Sequence, residues 1–373
     1  MDQRVGRPDA PARVGQARLP YLDRLKVILV AGVIFGHAWV GYSDLGSWAY
    51  TDIREVTIAP ATKTVLEVVL GPFGLFAIGL FLFVAGLVTP ASVDRKGASR
   101  FIRDRLVRLG LPILGFLVVF WPPVRWAMDR AAGRSRSAFW PPDLVHLWYA
   151  VVLLLFSIAY AGWRRPLRLP ARLTATHLQL LAAVIAGLSF LVRIWLPLDG
   201  DGPLSLHMAQ WPQFVGLFAL GAAGARRGWF DPVPARLARS CAVAAIVGIA
   251  LIGLFALAAA LAGAPVTDFL GGAHWASLAV AAAEGLLAVN LSVWVLFLAQ
   301  RHLNEPVPGG RAVRGAYAAF VVQGHVLVAL ALLLRPVPVW AEPKGLVVSV
   351  AGVLLSFGLG WLLVSRTPLG RIL

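Results

Sequence analysis

Ten stretches of this chain run apolar for close to the length a helix needs to cross a bilayer, about 20 residues. They fall at about 25–43, 64–90, 109–128, 144–163, 178–197, 210–227, 240–262, 273–299, 313–335 and 344–364. The hydrocarbon core offers no water to a bare N–H or C=O, so only helices or a closed barrel can span it. The runs are continuous, not alternating, and so read as helices. The expectation is an all-α polytopic membrane protein with about ten transmembrane helices. Charge supports this: 59% of the 373 residues are hydrophobic and 14% charged, where a soluble domain carries about 25% charge.

Orientation follows from the basic residues. The amino-terminal tail, every second loop and the carboxyl terminus together hold 24 Arg and Lys, and the intervening loops hold six. Positive charge marks the cytoplasmic side, so both termini are expected there, in the plasma (inner) membrane. Three units follow: a basic, disordered tail (1–19), a transmembrane domain (20–365) and a short cytoplasmic tail (366–373). The first 24 residues are Arg- and Pro-rich without an apolar core, so no cleavable signal peptide is expected. Net charge is +16. Its division among short loops argues against nucleic acid and for membrane lipid headgroups, with room for a cytoplasmic anionic ligand. The single cysteine, Cys241, excludes an internal disulfide and a cysteine-based metal site.

Ionisable side chains at membrane depth are costly and are functional candidates by default. The first span carries one, His37. Lys26 lies eleven residues before it, about 20° away on the helical wheel and about 16 Å along the axis. Asp23 sits on the same stripe, and Arg24 lies beside it. His146 opens the fourth span and Glu67 enters the second. Gln323 and His325 lie mid-way along the ninth, and Glu284 and Asn290 along the eighth. The outward loops add Asp44, Trp48, Tyr50, Asp52, Arg54, Glu55, Trp140 and Asp143. Aromatic and polar groups together suit a polyol or sugar, although Trp and Tyr also gather at membrane interfaces. Trp39, Tyr42, Trp148, Gln323 and His325 are candidates for contact with such a substrate.

Histidine can take and return a proton near neutral pH. No Gly-x-Ser-x-Gly elbow, His-Glu-x-x-His, cysteine pair or Walker sequence is present. The simplest chemistry left is a histidine general base acting on a hydroxyl, with no metal. His37 is the first candidate, with His146 and Glu67 as catalytic partners. A multi-span exporter of a sugar or small metabolite, using buried His and Glu as a proton relay, is the alternative.

Six segments, in order, resemble the integral-membrane acyltransferase-3 family. YLDRLKVILVAGVIFGHA resembles its first span, with Lys26 where arginine is usual and His37 as the histidine. GLFLFVAGLVTPAS is similar to its second span, with Ala85–Gly86 in place of a serine–glycine pair. RFIRDRLVRLGLPIL resembles its basic segment, with Arg103 and Arg105 as the arginine–x–arginine element. HLWYAVVLLLF and QFVGLFALGAAGARRGWFD look most like the glucan-succinylating subgroup. AYAAFVVQGHVLV resembles the ninth span, where Gln323 stands in place of the usual histidine. The resemblance implies transfer of an acyl group, acetyl or succinyl, from acyl-CoA to a hydroxyl of a glycan, lipid-linked sugar or small-molecule acceptor. Lys26, Arg24, Arg103, Arg105 and Arg108 are then the candidate donor-binding residues.

Overall fold

The computed structural model describes residues 19–43, 48–135, 143–163, 169–200, 205–263, 265, 267–305 and 310–373, apart from the side chains of 259 and 260. The tail at 1–18 and Asp44, Arg136, Trp140, Arg164, Arg165 and Arg168 lie outside them.

Among the described residues there are helices and no strands. The principal helices are α1 (Pro20–Gly41), α2 (Pro60–Lys96), α3 (Ala98–Ala131), α4 (Trp148–Gly162) and α5 (Ala175–Arg193). There follow α6 (Trp211–Arg227), α7 (Ala235–Ala262), α8 (Trp275–His302), α9 (Arg311–Leu334) and α10 (Ala341–Arg366). Eight of these are long and apolar enough to cross a membrane. The expected fourth and sixth spans correspond to α4 and α6, of 15 and 17 residues. At 1.5 Å per residue these are shorter than the roughly 30 Å hydrocarbon core.

The third span is not a plain helix. The α3 run contains two π turns, Leu106–Gly110 and Phe116–Phe120. Each lies just ahead of prolines, Pro112 and then Pro122–Pro123. A proline has no N–H and clashes with the carbonyl four residues earlier, and the helix absorbs this by widening. One carbonyl in the second widened turn, that of Phe120, accepts a hydrogen bond from His325 Nε2 at 3.0 Å.

Close helix approach needs small residues. At the α2–α6 crossing a β-carbon on Gly86 would overlap the Phe218 carbonyl, and one on Gly221 the Phe83 carbonyl. On the other side α9 and α10 share an extensive interface, and α1 packs on both. Helices α5 and α8 are joined by polar pairs inside the apolar slab. Gln179 Nε2 donates to Asn290 Oδ1 at 2.9 Å, and Arg193 pairs with Glu284, both wholly buried. Removing one partner of such a pair strands a charge, at a cost of about 3–5 kcal/mol. Glu284→Ala should therefore sharply lower the melting temperature in detergent. The double variant Arg193→Met/Glu284→Leu should recover most of the loss, as a thermal-shift assay would show.

Candidate functional site

His37 projects from α1 into a cavity of about 840 Å³. Three loops meet around it at one end of the bundle: the α1–α2, α3–α4 and α5–α6 connections. The imidazole stacks on the Trp48 indole, with ring centroids 4.1 Å apart and planes 11° from parallel. Its Nδ1 lies 3.1 Å from Gln323 Oε1. Gln323 is fully buried, and its Nε2 donates to the Phe320 carbonyl at 3.2 Å. That bond fixes the amide so that its oxygen faces the histidine. An oxygen can only accept, so His37 Nδ1 carries the proton and Nε2 keeps its lone pair.

His146 also lines the cavity, 5.9 Å from Trp48 between ring centroids. Its Nε2 donates to the Val321 carbonyl at 3.1 Å, and its Nδ1 is buried without a partner among the described residues. Gly324 makes room for the ring, since a β-carbon there would lie 2.9 Å from it. His325 is not part of the cavity lining. It is held by the Phe120 carbonyl and meets Phe116 and Trp121 edge-on. Backbone strain gathers at the same place: Val145, Ser205 and His207, with φ of 50°, 53° and 48°, all line the cavity. Side chains other than glycine rarely adopt this conformation, and it persists only where surrounding contacts impose it.

The loop carrying Trp48 is clasped from across the chain. Lys344 Nζ, buried at the start of α10, bonds Glu55 Oε1 at 2.6 Å. Tyr50 donates to the other Glu55 oxygen at 2.6 Å, and Arg335 bonds the Ile53 carbonyl. These contacts hold residues 48–55 down over α9 and α10, and with them the indole on His37.

The other candidates separate by position. Trp148 lines the cavity, 4.4 Å from His207. Trp39 instead packs on Gly345, and Tyr42 meets Tyr50 at 5.5 Å in the core beside the cavity. Glu67 lies on an exposed face of α2, 3.9 Å from Lys63 and outside the lining. At the far end of α1, Lys26 pairs with Asp23 at 3.7 Å and Arg24 with Glu305 at 3.6 Å. Arg103 and Arg108 are exposed. Arg105 is half-buried over the Phe101 ring and within electrostatic reach of Tyr149 and Tyr317. Tyr149 lines the cavity, and Arg105 does not. Sequence reasoning passed over Tyr149, although it adjoins Trp148. It also passed over Asp129, buried in the cavity wall with Oδ2 unpartnered among the described residues.

A cavity lined by two histidines inside a multi-pass membrane bundle is an enzyme-like site. A family model described as an acyltransferase domain matches residues 19–365, nearly the whole chain. The chain belongs to this acyltransferase-3 family and is a membrane acyltransferase. No curated protein and no solved structure matches it.

Release of the clasp depends on pH. Burial pushes the Glu55 carboxyl up, but the bonds from Lys344 and Tyr50 outweigh it and hold the group below its ordinary value. A depressed carboxylate contributes stability above its unfolded value, near 4.3, and loses it as pH falls through the folded value. Glu55→Gln should therefore lower the melting temperature at pH 7. The gap to wild type should close as pH drops below about 4. Differential scanning fluorimetry across pH 3–8 reads both.

Proposed function

We propose that the protein moves an acyl group, acetyl or succinyl, from acyl-CoA to an acceptor hydroxyl at the plasma membrane, with His37 as general base. The acceptor is a glycan, a lipid-linked sugar or a small molecule. The observation that carries this reading is the Gln323 contact, which leaves His37 Nε2 with a lone pair in a cavity large enough for a substrate. The hydroxyl gives its proton to Nε2 as its oxygen attacks the thioester carbonyl. The new C–O ester bond forms, the C–S bond breaks, and the proton passes from Nε2 to the departing thiolate. Trp48, stacked on the ring, limits its rotation and keeps Nε2 aimed. His146 and Trp148 border the acceptor.

Donor binding falls to Arg103, Arg108, Lys26 and Arg24, whose charges suit the phosphates of coenzyme A. Arg105 is within electrostatic reach of Tyr149, which lines the cavity. An extended thioester arm of roughly 15–20 Å matches the axial distance from Lys26 to His37. Gln323 acts through His37 and is a positioning residue. Glu67 and His325 take no part in this scheme, because neither lines the cavity.

In detergent-purified protein, His37→Gln should cut transfer of labelled acetyl from acetyl-CoA by about 10²–10⁴-fold. The variant should stay folded and keep its donor-induced thermal shift. Gln323→Leu should lower kcat about tenfold, roughly 1.4 kcal/mol of barrier, and leave the KM for acetyl-CoA unchanged. A fully active His37→Gln protein would rule out the mechanism.

A further inference from the structure

We propose that the acceptor is an amphiphile: its hydroxyl-bearing head occupies the loop end of the cavity and its apolar tail leaves sideways between α1 and α2. The inference rests on the acyl-transfer reading and specifies the acceptor of that site.

The cavity has two kinds of wall. Around the loops it is polar, with Asp52, Asp129, Arg134 and Asp143 beside His207. Deeper, it is bounded by apolar residues of two consecutive spans, Val33 on α1 and Leu70, Phe73 and Ala77 on α2. These helices follow one another in sequence, yet α1 packs mainly on α9 and α10, and α2 on α6 and α8. The seam between them is loose. Gly36 of α1 and Gly74 of α2 both line the cavity, and a β-carbon on either would meet nothing within 4 Å. Gly71 is likewise open. One turn along α1 from Gly36 the seam narrows, where the Phe73 ring, set between Gly71 and Gly74, reaches across to within 3.6 Å of a β-carbon built on Gly32.

Glycine here is not serving close packing, as it does at Gly86 and Gly221. It leaves a slot at the depth of His37. The outer surfaces flanking the slot are strongly apolar: Val65, Val68 and Val69 on α2 are 61%, 70% and 61% exposed. In a bilayer that face meets acyl chains. A tail lying in the slot therefore passes from protein to lipid without crossing water, at a favourable free energy for each buried methylene. At the other end, the carboxylates that line the polar wall, Asp52 and Asp143, suit hydrogen bonds from further hydroxyls of the head. A single molecule fits both ends if it is polar at one end and oily at the other, with the reacting oxygen near the junction, where His37 stands.

The test uses nanodisc-reconstituted protein and two probes, methyl glucoside and a dodecyl glucoside with a diazirine on its chain. Photolabelling, mapped by peptide mass spectrometry, should concentrate at 33–40 and 66–77, at least fivefold above the lipid-facing surface of α7. With labelled acetyl-CoA, the dodecyl acceptor should turn over at least tenfold faster than the methyl one. Gly74→Trp should fill the slot, cut the labelling at least fivefold and bring the turnover ratio toward one. Gly36→Phe, on the facing helix, repeats the test if Gly74→Trp does not fold. Labelling spread evenly over the lipid-facing helices, or equal turnover of the two acceptors, would overturn the inference and leave acyl transfer intact. Labelling confined to the slot with no ester formed on any alcohol would uphold the slot and count against acyl transfer.

Discussion

A polar group buried in a bilayer has no water to fall back on, so it must find its partner within the protein or give up its charge. The architecture of this acyltransferase is largely a set of answers to that constraint. Arg193 answers Glu284 and Gln179 answers Asn290. Phe120, in a π turn ahead of two prolines, offers a carbonyl to His325. His37 differs from all of these. One of its nitrogens is satisfied by Gln323, and the ring faces open space. A side chain satisfied on one nitrogen only, beside a cavity, is equipped to exchange a proton.

What surrounds His37 divides the work between scaffold and strap. The scaffold is the packing of α1 on α9 and α10, which brings Gln323 within hydrogen-bond distance of a residue 286 positions away. The strap is the α1–α2 loop, drawn down by Glu55 on Lys344 so that Trp48 lies flat on the imidazole. A conjugated ring stacked at 4.1 Å resists rotation of its neighbour. The loop therefore contributes to orientation as much as to enclosure. The same loop and its two neighbours form the polar mouth, and the seam between α1 and α2 forms the apolar flank.

The general plan was legible in the sequence because membrane spanning leaves a coarse signal: about 20 apolar residues, then charge. It was less legible where a helix falls short of that length, as α4 and α6 do. It also hid the bends in α3, where prolines announce a disturbance but not that a π turn will absorb it. At the site, His37 and His146 stood out as ionisable groups in apolar runs. Depth alone does not say which way a side chain points, so Glu67, at similar depth, looked equivalent, yet it faces outward beside Lys63. Gln323 was visible as a polar residue, but its partner lies on another helix. The placement of Trp48 rests on the Glu55–Lys344 bond across 289 positions, which no local pattern encodes.

The central claim is that one imidazole is served from two sides of the membrane. It is tested most directly with protein inserted in a single orientation in sealed vesicles. Labelled acetyl-CoA is supplied on the face bearing Arg103 and Arg108, and an alcohol acceptor on the opposite face. The account predicts labelled ester from this arrangement and none when donor and acceptor exchange compartments. Ester formed only when both reactants share one compartment would contradict it.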